Sequence, residues 1–486
     1  MTATSEKLAQ FVEQASFDDL PDDVVHESKR ILLDSIGCAI AAGDDLKGRI
    51  GIQYAQVLGG EDRTATILGS TIRSSVFGAA FANGELINAL DFDAVLPPGH
   101  VSPYVLPGAV AIAESANAHG TDLILATALA HEISNRFGKA MDYIRDVDGE
   151  TVTMPAVLGY TSTIFGATAA ITKLRSATAE VTAHALGIAA GITPANSHRS
   201  WIEHIPISTI KYTMAGPVVQ SALTAAHMAL LGHTGDVQTF DDDEFGYPRF
   251  IGTKRWVPEN ITHEIGSTWH FPAENSFKHY PHCRALHGLL DLVNDTLRDN
   301  NIRPTEIDAI RAWGEGHVER ASWLTTDINR AVDGQFSIAH GLAVGVQQLP
   351  PSKRWQSPEI VFDDQVLDLM TRISYERHPE WIPSMISDPA ARPSRLEIDA
   401  HGQTYVSELR YPKGTPQASG GVGTTDDQLV AKFLLNAEGV LSPEAAEAAV
   451  DSIMNLERVS GVASVIRGLG AQECVAPLEY HTSSSS

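Results

Sequence analysis

The 486-residue chain exceeds the roughly 250–300 residues at which a single core usually stops growing, so two domains are expected. Hydrophobic residues at 43% and charged residues at 20% exclude long disorder, collagen-like and coiled-coil organisation. With 35 basic residues against 60 acidic ones the formal charge is −25, which repels phosphate backbones, and no zinc-finger spacing or basic stripe offsets it. Nucleic acid is therefore not an expected partner, although a local group of Lys, Arg and His can still hold an anionic metabolite.

The first stretch, MTATSEKLAQFVEQA, lacks the apolar core of a signal peptide, and later apolar segments are interrupted well before the ~18 positions of a membrane span. Cys38, Cys283 and Cys474 are too scattered for a secreted disulfide framework. A soluble, cytoplasmic protein without membrane association is expected. Asp22-Asp23 precede VVHESKRILLDSIGCAIAA, where apolar residues recur at helical spacing until Gly43. Further helices are expected over 73–90, 105–119, 122–136, 154–172, 177–190 and 212–231, with many Ala and Gly to allow close approach.

The pattern changes after residue 250. TEIDAIRAW (305–313) alternates as a strand, and RLEIDAHGQTYVSELRY (395–411) reads as two strands joined at Ala400-His401-Gly402. AVDGQFSIAHGLAVGVQQL and DDQVLDLMTRI between them look helical, and helical pattern returns at 426–438, 443–453 and 458–468. The expected fold is mainly α with an inserted α+β domain: a large helical domain over 1–265, a smaller α+β lid domain over 266–415, and C-terminal helices over 416–482 returning to the large domain.

Several ordered segments carry a resemblance. LINALDFDAVLPPGHVSPYVLPGAVAIAE (86–114), ILLDSIGCAIAA, AHALGIAA, IKYTMAG, FKHYPHCRALHG and the 395–411 hairpin together resemble the MmgE/PrpD family, which includes 2-methylcitrate dehydratases, cis-aconitate decarboxylases and iminodisuccinate epimerases. The resemblance spans nearly the whole chain and implies a homodimer of two-domain subunits with a cofactor-free site between the domains. Its members remove water, remove carbon dioxide or invert a stereocentre.

Within 91–100, Asp91 and Asp93 follow an apolar helix, and Pro97, Pro98 and Gly99 force a turn that can bring His100 back to them. An imidazole beside a carboxylate exchanges protons near neutral pH, and the carboxylate fixes its tautomer. The resemblance makes Asp91 and His100 catalytic and places Asp93 on the substrate. It also maps the family's active-site lysine onto Lys211, ahead of a helix expected from about Tyr212. In HRSWIEHIPISTIK, Arg199 is a candidate for substrate contact, and an ammonium at Lys211 would counter carbanion charge. In FKHYPHCRALHG the family's Lys-x-Tyr-Pro pattern matches Lys278, Tyr280 and Pro281, and a later histidine matches His287. Tyr280 and His287 are the remaining catalytic candidates, and Lys278, His282 and Cys283 the remaining substrate-binding ones. If Pro281 starts a helix, Cys283 and His287 share a face at i,i+4. The spacing of His279, His282, Cys283 and His287 also permits zinc, but no fourth-ligand motif accompanies it, so neither a metal nor an organic cofactor is expected. The acidic run Asp241-Asp242-Asp243 lacks a calcium-loop pattern.

Five departures separate the chain from the decarboxylase pattern. Ala94 and Val95 replace an Asp and a Thr, Cys283 stands where a catalytic histidine falls unless a small backbone shift lets His282 take that place, Thr153 aligns with another histidine, and Ile338 replaces a tyrosine-containing position. The expected activity is a cofactor-independent lyase on a small mono-, di- or tricarboxylic acid, with hydration or dehydration preferred. A cis-aconitate-like decarboxylase and an epimerase are the enzyme alternatives, and a non-enzymatic dimeric scaffold is the alternative of another class.

Overall fold

Small residues set how closely the first helices approach one another. The computed structural model describes residues 2–149, 151–152, 155, 159–194, 198–471 and 478, except for the side chains of residues 148, 151, 198 and 199. The principal helices of the first part are α1 (Thr4–Gln14), α2 (Asp22–Ala41), α3 (Leu46–Gly59), α4 (Val76–Ala89), α5 (Ser102–Ala116), α6 (Gly120–Ala140), α7 (Thr163–Leu174), α8 (Ala179–Ile192) and α9 (Ala215–Leu230). A Cβ on Gly166 of α7 would lie 2.3 Å from the Ala130 carbonyl of α6, and one on Gly216 of α9 would lie 2.3 Å from the Phe81 ring of α4. Neither approach leaves room for a side chain, which explains why these alanine-rich helices pack as a close bundle.

Capping explains several boundaries. Ser75 Oγ accepts from the Gly78 amide at the start of α4, and α5 ends at Asn117, whose φ of 47° is a left-handed cap. The expected helix over 105–119 begins earlier, at Ser102, because Pro103 fits its first turn. The helix expected from about Tyr212 begins at Ala215 instead: Lys211 has φ 57° and Met214 is an extended N-cap, so residues 211–214 cannot be helical.

Strand β1 (Val95–Leu96) and β2 (Gly99–His100) form a small hairpin, with Val95 opposite His100. The main sheet has the order β6-β5-β3-β4, where β3 is Ile307–Gly314, β4 Ile373–Arg377, β5 Ser394–Ala400 and β6 Gln403–Leu409. Only β3 and β4 are parallel. His401 (φ 54°) and Gly402 (φ 71°) turn β5 into β6, as the two-residue connection requires. Ser394, Leu396, Ile398 and Ala400 of β5 are buried, and helix α10 (His287–Asn300) packs on β5 and β6. The fold is thus mainly helical with a small mixed sheet.

Pro281 does not open a helix. Cys283 caps one 3₁₀ turn, Arg284–Leu286, and α10 starts only at His287, so Cys283 and His287 are not successive positions on one α-helical face. Helix α11 (Ile338–Val346) follows β3, and α12 (Asp426–Ala437) and α13 (Pro443–Met454) follow the sheet. The last expected helix, over 458–468, is confined to Ala463–Arg467. Helix α12 packs on α2, where a Cβ on Gly37 would touch the Phe433 ring at 3.0 Å. Among the described residues, no helix is long and apolar enough to cross a membrane.

Candidate active site

The segment between α4 and α5 carries the densest buried chemistry. Asp91 leaves α4 with φ 52°, a conformation that Asp tolerates better than most residues. The β1–β2 hairpin then returns the chain, and its Gly99 sits so close to Tyr160 that a Cβ would lie 2.3 Å from the ring. His100 Nδ1 is consequently 2.7 Å from Asp93 Oδ2, while Nε2 is 3.5 Å from Asp91 Oδ1. A carboxylate can only accept, so Nδ1 donates its N–H to Asp93, while Nε2 faces the Asp91 carboxylate. The residue that orients His100 is therefore Asp93, and Asp91 faces its other nitrogen.

Lys278 reaches Asp91 because the chain before it is registered against the hairpin. Val95 and Ser276 exchange two backbone hydrogen bonds of 2.9 Å, and two residues later Lys278 Nζ donates to Asp91 Oδ2 at 2.7 Å and to the Asp91 carbonyl at 2.8 Å. Tyr212 donates its hydroxyl to Asp91 Oδ1 at 3.2 Å. Burial alone would raise the Asp91 pKa, but Lys278, His100 and Lys211 outweigh it and hold the carboxyl well below its usual range. Removing the ammonium would leave a buried carboxylate unpaired, at a cost of about 3–5 kcal/mol.

Every carbonyl from 88 to 92 is held by a side-chain donor. Lys211 Nζ donates to the Asn88 and Ala89 carbonyls at 2.6 Å each. Gln335 Nε2 donates to Ala89 at 2.9 Å and Gln356 Nε2 to Leu90 at 2.7 Å. Lys278 takes the Asp91 carbonyl, and Lys432 Nζ takes that of Phe92 at 2.7 Å while lying 3.8 Å above the Phe92 ring. Lys432 is also 2.6 Å from Asp34, whose other oxygen accepts the Ala94 amide at 3.1 Å. Three cations at the C-terminal end of α4 suit the negative pole of its dipole. Burial lowers Lys211 to about 7, with Asp91 opposing that shift, so its ammonium titrates near neutrality.

The other candidates lie elsewhere in the network. Tyr280 donates to Asp291 Oδ1 at 2.9 Å and accepts from Asn294 at 3.1 Å; burial and then Asp291 raise its pKa. His287 Nε2 is 3.1 Å from the His282 carbonyl, its Nδ1 is 3.3 Å from Arg284, and burial holds it neutral. These two side chains brace the 278–283 segment and are not brought to Asp91. His282 is buried, and burial lowers it to about 3; its ring lines a small cavity with Gln335, Gln356 and His340. Cys283 is a buried thiol whose pKa is raised by burial and then by Asp91. Arg199 and Thr153 fall outside the described side chains. Ile338 is a buried residue in the first turn of α11. His279 Nε2 pairs with Thr424 Oγ1 at 3.0 Å, and among the described residues no three His, Cys, Asp or Glu side chains converge to hold a metal.

Sequence reasoning did not single out Tyr212, Tyr160, Lys432, Gln335 or Gln356. Tyr212 stands inside the IKYTMAG segment, next to Lys211, and was open to discovery; Lys432 sits on an ordinary amphipathic helix and carries no local signal. The His100 ring lies 4.7 Å from Tyr212, which stacks on Tyr160 at 5.1 Å, so the proton-transfer groups face an aromatic wall.

Known proteins are similar to this chain in sequence. The MmgE/PrpD N-terminal domain model matches residues 6–259 and the C-terminal domain model residues 280–458. Human cis-aconitate decarboxylase is 24% identical over 94% of this chain and 92% of its own length. The mouse enzyme of that name is 23% identical over 99% and 97%, and an Aspergillus terreus one 22% over 96% and 95%. With both domain models matched in order, the first across the hairpin and the Lys211 segment, the chain belongs to the MmgE/PrpD family.

Proposed function

We propose that the protein is a cofactor-independent lyase that acts on a small carboxylic acid by proton transfer beside a carboxylate. One observation carries this reading: His100 is held by Asp93 through Nδ1 and presents Nε2 toward an ion-paired Asp91. An imidazole so fixed can take a proton from carbon and return it, and the Lys278 and Lys211 ammonium groups counter the charge left on the substrate.

Dehydration is the preferred reaction. His100 removes the proton beside the carboxylate, the C–H electron pair forms the new double bond, and the hydroxyl leaves as water on taking that proton from His100. Decarboxylation is the second reading, supported by full-length similarity to cis-aconitate decarboxylases. Against it stands Cys283, a buried neutral thiol where the family's decarboxylases are expected to carry a histidine. Epimerisation would use the same base on one face of one carbon and an acid on the opposite face. The subunit is proposed to work as a homodimer in the cytoplasm.

Mass spectrometry of hydroxy and unsaturated acids, incubated with the protein in ordinary and deuterated water, tests the reading. Loss of water identifies dehydration, loss of carbon dioxide decarboxylation, and deuterium uptake without either identifies epimerisation. Failure to convert any acid in the screen overturns the lyase reading.

A further inference from the structure

Lys47 is a buried cation with no part in the proton transfer itself. It stands in the first turn of α3, where the Asp45 cap accepts its amide at 2.8 Å, and it is 7% exposed. A cation in a helix's first turn opposes the positive pole of that helix, so its place is set by what it reaches. Lys47 Nζ donates to Asn88 Oδ1 at 2.8 Å and lies 3.5 Å from Glu85 Oε2, and both partners are buried residues of α4. The reach depends on close packing of the two helices: a Cβ on Gly48 would lie 2.9 Å from the Leu86 side chain, and one on Gly51 2.9 Å from that of Glu85.

Both partners lead to the segment that carries Lys211. The Asn88 carbonyl accepts the Lys211 ammonium at 2.6 Å, and Glu85 Oε1 accepts the Gly216 amide, in the first turn of α9, at 2.8 Å. Glu85 and Asn88 therefore grip the two ends of the turn that begins at left-handed Lys211 and leads into α9. Asn88 Nδ2 is buried without a hydrogen-bond partner among the described residues, so within that set Lys47 alone fixes the side chain. The reversed amide would point its NH2 at an ammonium, which is why the oxygen faces Lys47. Two ammonium groups thus bond one residue, Lys47 through its side chain and Lys211 through its backbone. The charged groups acting on Lys211 are Asp91, which Lys278 and His100 share, Asp93, and from α3 and its cap Lys47 and Asp45; the Phe336 ring lies 5.9 Å from Nζ. Of these Lys47 works against the Lys211 proton, and the three carboxylates work for it.

We propose that Lys47 is a positioning residue of the reaction centre: from α3, and without touching substrate, it holds Asn88 and Glu85 so that Lys211 stays on the Asn88 and Ala89 carbonyls at the end of α4. The inference rests on the lyase reading and adds to it a control on the group that counters substrate charge. Loss of the Lys47 charge removes a repulsion from Lys211 and leaves Glu85 unneutralised, and both changes favour the Lys211 ammonium. Lys211 then keeps its proton to higher pH, while the loosened turn places it less well for the transition state.

Lys47→Met and Lys47→Arg are compared with the wild type in two ways: by carbon NMR of protein labelled at the lysine ε-carbon, with the Lys211 resonance assigned by its loss in Lys211→Met, and by kinetics on an acid found in the mass screen. In Lys47→Met the Lys211 titration midpoint should rise by roughly half a pH unit or more, the alkaline limb of kcat/KM should rise with it, and kcat should fall about tenfold with KM changed little. Lys47→Arg keeps the charge and a donor for both partners, so its midpoint should stay near that of the wild type. A lysine with only a structural role would lower the melting temperature and leave the midpoint in place. That result in a folded Lys47→Met overturns the proposal, as does a moved midpoint with unaltered kcat. If Lys47→Met does not fold, Lys47→Gln, which is neutral but still donates a hydrogen bond beside Glu85, takes its place under the same criteria. The NMR midpoint needs no turnover: an unmoved midpoint with acids still converted overturns the role of Lys47 alone, and a moved midpoint with no acid converted overturns the lyase reading while the hold of Lys47 on Lys211 stands.

Discussion

His100 is where the chemistry is most exposed to a single substitution. Replacing it with Gln keeps a polar side chain of similar reach but removes the group proposed to take and return the proton, so turnover should fall roughly 10²–10⁴-fold with the fold intact. Steady-state rates on an acid identified by the mass screen, together with a thermal melt, check this, and near-normal turnover would make His100 structural. Lys211 gives a pH signature. Its pKa is lowered to about 7 by burial, so the ammonium that counters substrate charge is lost as pH rises through that value, and kcat/KM should decline above it. A bound anion favours the charged form, so the same limb in kcat should move to higher pH, and Lys211→Met should remove it from both profiles. Asp91, Asp93 and His100 were legible in the sequence because ten consecutive residues and a Pro-Pro-Gly turn hold all three. The division of labour was not: which carboxylate orients the imidazole depends on a left-handed Asp91 and on the close fit of Gly99 to Tyr160, neither of which leaves a periodic trace.

Short elements, more than long helices, set the geometry. The two-residue strand at Val95–Leu96 pairs with β2 on one side and with Ser276 on the other, and this bridge brings Lys278 from a distant part of the chain to Asp91. No hydrophobic period marks so short a strand, which is why the contact escaped a reading by pattern. Helix ends were likewise less legible than helix existence: the residues before α9 and α10 adopt a left-handed turn and a 3₁₀ turn respectively, and each moves the helix start past its expected residue. Gln356 illustrates how an element far from the chemistry can govern it. Its amide donates to the Leu90 carbonyl and, at 2.8 Å, to that of Pro281, tying the turn before Asp91 to the turn before Cys283. Gln356→Leu preserves bulk and removes both bonds. It should lower kcat by about tenfold to a hundredfold while changing KM little, because loss of positioning at the reacting groups acts on the transition state more than on binding. A variant with unaltered kcat, measured alongside its melting temperature, would show that Lys211 and Lys278 hold the turn unaided.

At the scale of the whole molecule, the mainly helical class with a mixed sheet followed from composition and periodicity, since alanine-rich helical runs and one alternating hairpin are long-range averages that tolerate local error. The return of α12 onto α2 has a specific cause: Lys432 bonds Asp34, the Phe92 carbonyl and, at 3.0 Å, the Lys278 carbonyl, so the C-terminal part secures both halves of the site. What covers the outer face of the helical part is a separate matter. On α3, Gly48, Gly51 and Ala55 turn inward, whereas Leu46 (50% exposed), Ile50 (42%), Tyr54 (45%) and Val57 (64%) recur at i, i+4, i+8 and i+11 on the other side. Four large apolar side chains in one stripe form a patch of the kind that marks association, while scattered single ones would not. The proposed homodimer would bury this face. The double variant Ile50→Glu and Val57→Glu places two like charges at its centre and should shift a dimeric wild type to monomer in sedimentation velocity, with little loss of helix content because both positions face outward. A dimer that persists in this variant would assign the interface to another surface.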